Sequence, residues 1–444
     1  MTIESVEWPR VHTGLGAATI ALMSELEKTQ WMRPQHIEAA QLHQARLLLQ
    51  HHVGKNPWFA TRMESAGLTP DMVIDQQSFR RIPILKRGDI QRAGNSFYAT
   101  AVPKSHEPIM EIKTSGSTGE PVVVKKTNVN ALFWGAHAVR DHHWSKRDHR
   151  SRISSIRADI SSYAEMPSWG MPMSMITTTG PAQGMPASMD IAEQLRRVKQ
   201  FKPSILLIYP NNLNAFLDEW EANWDMDYIK HIKTIGETVS PELRARTKAI
   251  TGLKIEDNYS SNEMGCMAIQ CPDHDHYHVM SETVILEILD DDGNPCKPGE
   301  TGRVVVTDLH NFISPLIRYD IGDWAEAGEP CSCGRGLPTI KRFVGREHSI
   351  LTRPDGTRIW PIFYGAKMND IAPVRQYQFR QKTLTSMEFR CYTEEPLFAE
   401  QRAGLIALVQ EALGYPYDLD LIEYRQPLPT TTRGKFQEFI CEIV

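Results

Sequence analysis

The strongest chemical signal in the sequence is the segment from Ile112 to Thr127, which reads IKTSGSTGEPVVVKKT. Glycine lets the backbone approach a phosphate closely, and hydroxyl and amide groups donate hydrogen bonds to phosphate oxygens. The apolar run after Pro121 predicts a strand, so the segment joins two strands, unlike a Walker A loop, which opens a helix. Two structures fit it, a phosphate-binding loop and a plain Gly/Ser hairpin loop. The residues available to phosphate are Thr114, Ser115, Gly116, Ser117, Thr118 and Gly119.

Four later segments also bring together residue types that do chemistry. DNYSSNEMG delivers an aromatic residue and then a carboxylate into a turn, and PLIRYDIGDWAE clusters an arginine with two aspartates. FVGREHSIL holds a Gly-Arg pair, and LPTTTRGKFQEFI places a lysine after a Thr-rich turn near the end of the chain. Each segment alone also fits an ordinary turn or a solvated charge. Their key members are Tyr259, Asn262, Glu263, Asp323, Arg346 and Lys435.

A cysteine and histidine cluster indicates a metal site. Cys271 and His274 stand in a C-x-x-H spacing, and Cys331 and Cys333 follow after a long insertion. Two ligand pairs separated in this way are typical of a four-coordinate zinc site, and because protein fills all four positions we expect a structural ion. His276 is the alternative to His274, and Cys266 is a weaker one. The remaining histidines of HDHYH are expected to be solvated, and unrelated surface residues remain the plain alternative.

The elements that must position these residues are an α/β arrangement. The first hundred residues are predicted to be mainly helical, with a clear amphipathic stripe from Pro34 to His51. In the middle of the chain strands alternate with helices, as in SILLIYP followed by NNLNAFLDEW, and Ser240-Pro241-Glu242 is a helix start. This order predicts parallel βαβ units. The stretch from Val284 to Thr307 predicts antiparallel strands, and a small α+β unit closes the chain.

Composition excludes several classes of protein. The chain has 444 residues with 49 Lys plus Arg and 54 Asp plus Glu, a net charge of −5 that argues against a nucleic-acid partner. No apolar run approaches the roughly 20 residues that span a bilayer, and the N-terminus has no secretory pattern. Seven cysteines do not make a disulfide scaffold in a chain of this length. We expect a cytoplasmic protein with no membrane partner.

Taken in order, the five segments resemble the adenylate-forming superfamily of acyl-CoA synthetases, luciferases and peptide-synthetase adenylation domains. RIPILKRGDI, PLIRYDIGD and CSCGRGLP look most like its phenylacetate-CoA ligase branch. The resemblance runs from about Ile82 to Lys435. It implies a large N-terminal domain, residues 1–344, with parallel βαβ subdomains plus a β-rich subdomain. A small mobile α+β C-terminal domain, residues 345–444, carries Lys435 as a lid.

The resemblance also implies roles for single residues. The loop from Thr114 to Gly119 would hold the departing phosphates of ATP, Glu263 the magnesium ion and Asp323 the ribose hydroxyls. Lys435 would bridge the α-phosphate and the substrate carboxylate. The remaining positions follow the same pattern: Gly236, Glu237 and Tyr259 would lie at the adenine, Asn262 near the phosphates, and Arg346 at the ribose or phosphate side. Some relatives look similar at the metal cluster as well.

The sequence departs from the family pattern at three places. Glu120 stands where relatives often have lysine, and Lys125 and Lys126 follow shortly as candidates to supply that charge. The segment YSSNE lacks the glycine of the family motif, and Asn262 stands where relatives usually have Ser or Thr. His348 occupies the hinge position, around Glu347 to Ser349, that is usually aspartate. These departures leave an altered second half-reaction open.

The function that the resemblance implies is ATP-dependent activation of a carboxylic acid, an aryl acid by preference. The acyl-adenylate would then pass to the thiol of coenzyme A, with AMP and pyrophosphate released. One alternative is an adenylating enzyme that loads a separate carrier protein or an amine. Another is a zinc-stabilised nucleotide-binding protein without catalysis.

The helix after the phosphate loop carries aromatic residues that are expected in the core or in the wall of the acyl pocket: Phe133, Trp134 and His137. The charged stretch from Asp141 to Arg152 is expected on the surface. Relatives in this branch are often dimers, so a homodimer is also expected.

Overall fold

The structure is a computed structural model that describes residues 3, 4, 8, 11–113, 122–221, 224–346, 351–359, 368–428 and 439–443. The side chains of residues 346, 358 and 359 lie outside the description. The described chain divides into two compact units. The first is Met1–Ile321 with Ala325–Phe343, and the second is Gly322–Trp324 with Val344–Val444.

Helices dominate the described part of the first hundred residues, as the sequence predicts. Short 3₁₀ helices are described at Pro70–Met72, Gly94–Phe97 and, further on, Lys104–His106. The described α-helices are α1 Gly14–Thr29, α2 Pro34–Lys55, α3 Pro57–Ser65, α4 Gln76–Arg80, α5 Arg87–Ala93, α6 Asn128–Trp144, α7 Met173–Ile176, α8 Ile191–Phe201, α9 Pro210–Trp220, α10 Pro241–Thr251 and α11 Ala399–Leu413.

Strands follow from β1 onward. Those of the first unit are β1 Ile109–Lys113, β2 Val123–Thr127, β3 Ile153–Arg157, β4 Ala164–Met166, β5 Ala182–Pro186, β6 Ile205–Ile208, β7 His231–Thr234, β8 Ile255–Glu256, β9 Asn258–Ser261, β10 Gly265–Gln270, β11 Tyr277–Val279, β12 Val284–Leu289, β13 Thr301–Asp308, β14 Tyr319–Ala327 and β15 Thr339–Arg346. The last two of these strands also reach the second unit, to which Gly322–Trp324 of β14 and the end of β15 belong. The remaining strands are β16 Leu351–Thr352, β17 Arg358–Ile359, β18 Gln376–Gln381, β19 Ser386–Tyr392, β20 Asp418–Tyr424 and β21 Phe439–Cys441.

A six-stranded sheet in the order β4-β5-β3-β6-β7-β8 forms the parallel part of the first unit. All its neighbouring strands run parallel except β4, which lies antiparallel at the edge. Helices α8 and α9 bury Val198, Phe216 and Leu217 against Leu206 and Ile232 of the sheet. These are the βαβ units that the alternation of strand and helix predicts, since parallel neighbours need a crossover connection.

The β-rich part is a seven-stranded sheet in the order β12-β13-β14-β15-β11-β10-β9. Strands β12 and β13 pair antiparallel with Leu286 opposite Val306, as predicted for this stretch. The core of this sheet holds Met267, Val304 and Ile340, all fully buried. The fold class, α/β with parallel subdomains, a β-rich subdomain and a small α+β unit, is confirmed.

The second unit contains a four-stranded sheet in the order β20-β19-β18-β21. Strands β18 and β19 are antiparallel, whereas β21 and β20 join them in parallel. Helix α11 buries Leu405, Val409 and Leu413 in the core of this unit, together with Phe379 and Phe389. The apolar stripe at helical spacing therefore faces the sheet.

The charged segment from Asp141 to Arg152 is only in part the solvated surface that its composition predicts, since Lys146, Asp148 and Arg150 are exposed. Arg147 is buried and bonds Asp141 at 2.6 Å, and Lys233 donates to the same carboxylate at 2.6 Å. Glu256 accepts from the Arg147 Nε at 2.7 Å and faces the His231 Nδ1, also at 2.7 Å. The prediction was wrong for Asp141 and Arg147, because these charges are satisfied across α6, β7 and β8, which allows their burial.

Candidate active site

The segment with Gly236 and Glu237, which the sequence assigns to a nucleotide, lies at the carboxyl edge of the six-stranded sheet. Strands β3, β6, β7 and β8 are parallel neighbours, so their carboxyl ends meet at this edge. The Ala158 N–H donates to the Tyr209 hydroxyl at 3.4 Å, and the Asn211 N–H donates to Glu237 at 3.2 Å. Ligands of open parallel sheets bind outside the carboxyl ends of the strands.

Gly236 lies in this same edge segment, directly before Glu237. Its φ of +75° falls in the left-handed region, so the glycine lets the chain turn after β7. Both residues therefore lie where β7 opens toward the edge. A side chain at this position would strain the turn.

Tyr259 presents a flat aromatic surface near the start of the β9–β10 hairpin. Its ring stacks on that of Phe343, with centroids 3.8 Å apart and an angle of 23° between the planes. Tyr277 contacts the same Phe343 ring edge-on at 5.1 Å. A pair of stacked rings of this kind fixes the orientation of both side chains.

Asp257 anchors the strand that carries Tyr259. The Tyr277 hydroxyl donates to its carboxylate at 2.6 Å and the Thr234 hydroxyl at 3.1 Å, while Arg244 lies 3.8 Å away. Burial raises the pKa of the Asp257 carboxyl, while these donors favour its charged form. Sequence reasoning gave Asp257 no role, and its network includes residues far apart in the chain.

The turn between β9 and β10 holds Asn262, which is exposed, and Glu263, which is half-buried. The Met264 N–H donates to the Ser261 hydroxyl at 3.0 Å, which closes the turn. Gly265 follows with a φ of +83°, and a Cβ there would lie 3.5 Å from the Trp134 ring. A carboxylate held on a tight turn is a suitable ligand for Mg²⁺.

The other predicted nucleotide contacts lie on separate elements. Asp323 is a half-buried residue of β14, and Arg346 is the last residue of β15. The loop from Thr114 to Gly119 lies outside the described residues. The two strands predicted on either side of it are present as β1 and β2, which pair antiparallel. Lys435 and the hinge from Glu347 to Ser349 also lie outside the described residues.

The helix after the phosphate loop, α6, has its predicted aromatic residues in different surroundings. Phe133 stacks on His310 at 4.2 Å, and His137 is buried with its Nε2 2.5 Å from the Thr283 hydroxyl. Trp134 is 48% exposed beside Gly265. Phe133 and His137 are therefore packed residues, whereas Trp134 is available as a wall of a pocket.

Four ligand atoms converge at the predicted metal cluster. One atom each from Cys271, His276, His278 and Cys331 lies within 4.8 Å of the other three. The two sulfur atoms are 3.9 Å apart. Two thiols and two imidazoles form a donor set that suits zinc.

The cluster differs from the predicted set of ligands. His274 Nε2 faces the Ser332 hydroxyl at 3.0 Å and does not join the cluster. Cys333 lies beside the group, its sulfur 3.4 Å from His278 Nε2. His276 lies in the bend directly before β11 and His278 lies within β11, and both reach the group. This i, i+2 spacing was the signal in the sequence that could have found them.

The protein atoms of the cluster fit a bound metal. His276 Nε2 is buried and has no hydrogen-bond partner, which is costly unless another group occupies the site. His278 Nδ1 lies 3.4 Å from the Leu337 carbonyl, so that nitrogen can donate and leave Nε2 for a metal. Cys271 and His278 are buried, and the other two residues are half-buried.

Comparisons with known proteins place this site in context. The family model described as AMP-binding enzyme matches residues 31–312. A protein named phenylacetate-coenzyme A ligase from Thermus thermophilus is 23% identical over 383 residues, which are 82% of this chain and 83% of that protein. A protein of the same name from Aromatoleum evansii is 24% identical over 346 residues, 74% of each chain.

Solved structures share the fold across nearly the whole chain. A 2-hydroxyisobutyryl-CoA ligase in its postadenylation state superposes with a TM-score of 0.73 at 18% identity, covering 94% of this chain and 92% of the other. The same ligase with 2-HIB-AMP and CoA in its thioesterification state gives a TM-score of 0.61 at 18% identity, with 94% and 91% covered. An anthranilate CoA ligase with anthranoyl-AMP gives 0.53 at 15% identity, covering 74% of this chain and 66% of the other.

Proposed function

The chain belongs to the AMP-binding enzyme family, whose model matches more than half of its length, and from this premise we propose that it is an ATP-dependent acid–thiol ligase. The resemblance to the adenylate-forming superfamily and to its phenylacetate-CoA ligase-like branch is confirmed by the matched family and the named relatives. The proposed reaction activates a carboxylic acid to an acyl-adenylate. The acyl group then passes to the thiol of coenzyme A.

The reaction proceeds by two displacements. The substrate carboxylate attacks the α-phosphate of ATP, and pyrophosphate leaves. The thiol of coenzyme A then attacks the acyl carbon, and AMP leaves. Because the first displacement needs positioning and charge neutralisation more than covalent help, it depends on groups that hold phosphate and metal.

In this proposal each predicted site residue has one task. Glu263 holds Mg²⁺, Asp323 accepts hydrogen bonds from the ribose, and Lys435 neutralises the charge that develops between the α-phosphate and the acid. The adenine lies against Tyr259, beside the segment of Gly236 and Glu237. The contacts to the phosphates come from the remaining group: Thr114, Ser115, Gly116, Ser117, Thr118, Gly119, Asn262 and Arg346.

The observation that carries the proposal is the arrangement at the carboxyl edge of the parallel sheet. The segment after β7, with Gly236 and Glu237, lies next to the segment after β8, which continues to Tyr259 and Glu263. Tyr259 thus follows β8 by three residues, and Glu263 lies on the turn after β9. That combination supports a site for a purine and a metal-bound phosphate chain.

An aryl acid is the proposed substrate class. Two relatives carry phenylacetate in their names, and the exposed indole of Trp134 beside Gly265 would stack on a flat ring. A small aliphatic hydroxy acid is the alternative, since the ligase with the higher TM-scores is named for 2-hydroxyisobutyrate.

A structural zinc ion is proposed at Cys271, His276, His278 and Cys331. The convergent donor atoms and the orphaned His276 Nε2 support it. All four ligands come from the protein, so the ion would tie β11 to the segment before β15 without touching substrate. His274 and Cys333, which the sequence favoured, would lie in the surroundings of the ion.

Transfer to a separate carrier protein or to an amine is the alternative second step. Within the described residues, no helix combines the length and the apolar character needed to cross a bilayer. A homodimer and a cytoplasmic location remain predictions. A non-catalytic nucleotide-binding protein is the alternative outside enzymology.

The proposal is tested by acid-dependent exchange of labelled pyrophosphate into ATP. Aryl acids are compared with short hydroxy acids, with Lys435→Ala as the control, and coenzyme A is then added while thioester is detected by mass. We expect exchange with at least one aryl acid, lost by about a hundredfold or more in the control. Exchange without thioester favours the carrier or amine alternative. Absence of exchange with every acid, from folded protein, contradicts the proposed activity.

A further inference from the structure

The two lysines of β2 point to opposite sides of the strand, because successive side chains alternate. Lys125 faces outward: its ammonium lies 3.3 Å from Glu111 and 4.4 Å from the centre of the Tyr98 ring. Lys126 faces inward and is 8% exposed. The sequence offered both as sources of the positive charge that relatives carry at the position of Glu120. Of the two lysines, only Lys126 has its side chain buried within the first unit.

The Lys126 ammonium lies beside Gly265, two residues after Glu263. A Cβ built on Gly265 would be 3.9 Å from its Nζ and 3.5 Å from the Trp134 ring. The charged groups that face the ammonium are Asp308 and Glu263. Among the described residues, Nζ forms no hydrogen bond and no close ion pair.

Asp308 already has donors of its own. The Asn130 amide donates to its carboxylate at 3.0 Å, and the His310 N–H donates at 3.0 Å. Burial raises the pKa of Asp308 to about 6, against the charge of Lys126. The carboxylate is therefore held without a direct contact to Lys126, and the ammonium is not needed to satisfy it.

Burial lowers the pKa of the Lys126 ammonium, while Asp308 and Glu263 favour its charged form without a hydrogen bond to it. A hydrophobic side chain of similar length would fill the same space at lower cost. A positive charge kept at this position suggests a role in the protein with its ligand bound. Two carboxylates face this point, and Mg·ATP would bring further net negative charge to Glu263.

We propose that Lys126 is a positioning residue of the nucleotide site, which compensates the negative charge gathered at Glu263 when Mg·ATP binds. This inference rests on the proposed function, in which Glu263 holds the metal. In this proposal the Lys126 ammonium acts through the Glu263 carboxylate and does not touch the nucleotide itself. It thereby supplies the positive charge that the segment around Glu120 lacks.

The test compares Mg·ATP binding by calorimetry in the wild type, in Lys126→Met and in the matched control Lys125→Met. We expect the affinity of Lys126→Met to fall by about tenfold or more, with a weaker dependence on salt. The melting temperature should stay the same or rise, since a buried charge has been removed. Lys125→Met should bind within about twofold of the wild type.

In the exchange assay, the same substitution should raise KM for Mg·ATP while KM for the acid is unchanged. A lower melting temperature with unchanged affinity would show a structural ion pair with Asp308 and overturn the proposal. A change in acid KM alone would overturn it as well, because Lys126 would then line the acyl pocket. Lys126→Gln keeps the test valid if the methionine variant does not fold.

The binding measurement separates this inference from the proposed function. Wild-type protein that binds Mg·ATP but exchanges no pyrophosphate contradicts the proposed ligase, while the comparison of the variants still decides the role of Lys126. Wild-type protein that binds no Mg·ATP contradicts both. The failure of the ligase proposal can therefore be distinguished from the failure of the inference about Lys126.

Discussion

Glu263 is the residue at which the assignment of the metal can be tested alone. Glu263→Gln keeps the shape of the side chain but removes the charge that a hard cation prefers. We expect pyrophosphate exchange to fall by about a hundredfold, and the Mg²⁺ concentration needed for half-maximal exchange to rise. Titration of Mg²⁺ at fixed ATP measures both effects.

Glu111 provides the matched carboxylate for this experiment. It is exposed and pairs only with Lys125 among the charged groups that the structure describes, so Glu111→Gln should leave exchange unchanged. Equal loss in the two variants, or a Glu263→Gln variant with wild-type Mg²⁺ dependence, is incompatible with metal binding at Glu263.

His52 gives the protein a pH dependence that belongs to a single side chain. Burial lowers its pKa from 6.5 to about 3, and its Nε2 lies 2.9 Å from the Asn311 carbonyl, to which it donates. The folded state therefore disfavours the proton that the unfolded state accepts, so stability is present above about pH 6.5 and is lost as pH falls toward 3. His52→Gln should lessen this loss by up to about 1.4 kcal/mol per pH unit.

Denaturant unfolding from about pH 7 to about pH 5 checks the prediction, with the wild type and the variant measured side by side. The buried titratable groups away from this pair contribute equally to both proteins, so the difference between the two slopes reports His52 together with its coupling to the neighbouring His51. Parallel pH profiles would mean that His52 is not held neutral in the fold.

At the scale of elements, β11 depends on the hydroxyl of Tyr277. That hydroxyl donates to Asp257 at 2.6 Å and accepts from Arg244 at 2.8 Å, which joins β11 to the start of β9 and to α10. Tyr277→Phe leaves a buried carboxylate with one donor fewer, so we expect the free energy of unfolding to fall by about 1–3 kcal/mol. Denaturant unfolding measures the loss. The control is Tyr98→Phe. The Tyr98 hydroxyl donates to the Val123 carbonyl at 3.0 Å and is only partly buried, so its removal should lower the free energy of unfolding by less. A Tyr277→Phe variant as stable as the wild type would show that the buried bond is not needed.

Elements with local signals could be predicted from the sequence, whereas groups assembled from distant segments could not. Helix α10 begins where Ser240 and Pro241 predict, and the Ser240 hydroxyl accepts from the Leu243 N–H at 3.1 Å. The burial of Arg147 depends on Glu256, more than a hundred residues away, and no local pattern carries that information. The contact of Lys126 with the turn of Glu263 is hidden for the same reason. Cys271 and Cys331 were singled out through local spacings whose second members, His274 and Cys333, lie outside the convergent group. The choice among the histidines needed the path of the chain.

At the scale of the whole molecule, the proposed zinc ion should stabilise the first unit. Cys271→Ser removes one thiolate, and we expect zinc content to fall and the melting temperature to drop by roughly 5 °C or more. Metal analysis and calorimetry measure the two effects together. Cys296→Ser changes a half-buried cysteine outside the group and should retain the metal. Purified wild type without zinc, or a Cys271→Ser variant with full zinc content, contradicts the site.

The two units also allow a prediction about the two half-reactions. If the second unit turns about the hinge near His348, a proline there restricts the backbone rotation. His348→Pro should then slow thioester formation by about tenfold or more, while pyrophosphate exchange changes little. Parallel loss of both half-reactions would place no hinge at this residue, and Thr357→Pro, within the second unit, controls for a general effect of proline.

Strand β11 serves two chemistries at once. His278 points toward the cysteines, and the residue beside it, Tyr277, holds Asp257 and touches the ring on which Tyr259 stacks. The two side chains leave the same three-residue strand on opposite faces. In the proposed function, the zinc content reached during growth would therefore affect the affinity of the purified protein for ATP through β11. Preparations that differ in apparent ATP affinity but not in sequence would then differ in their zinc content.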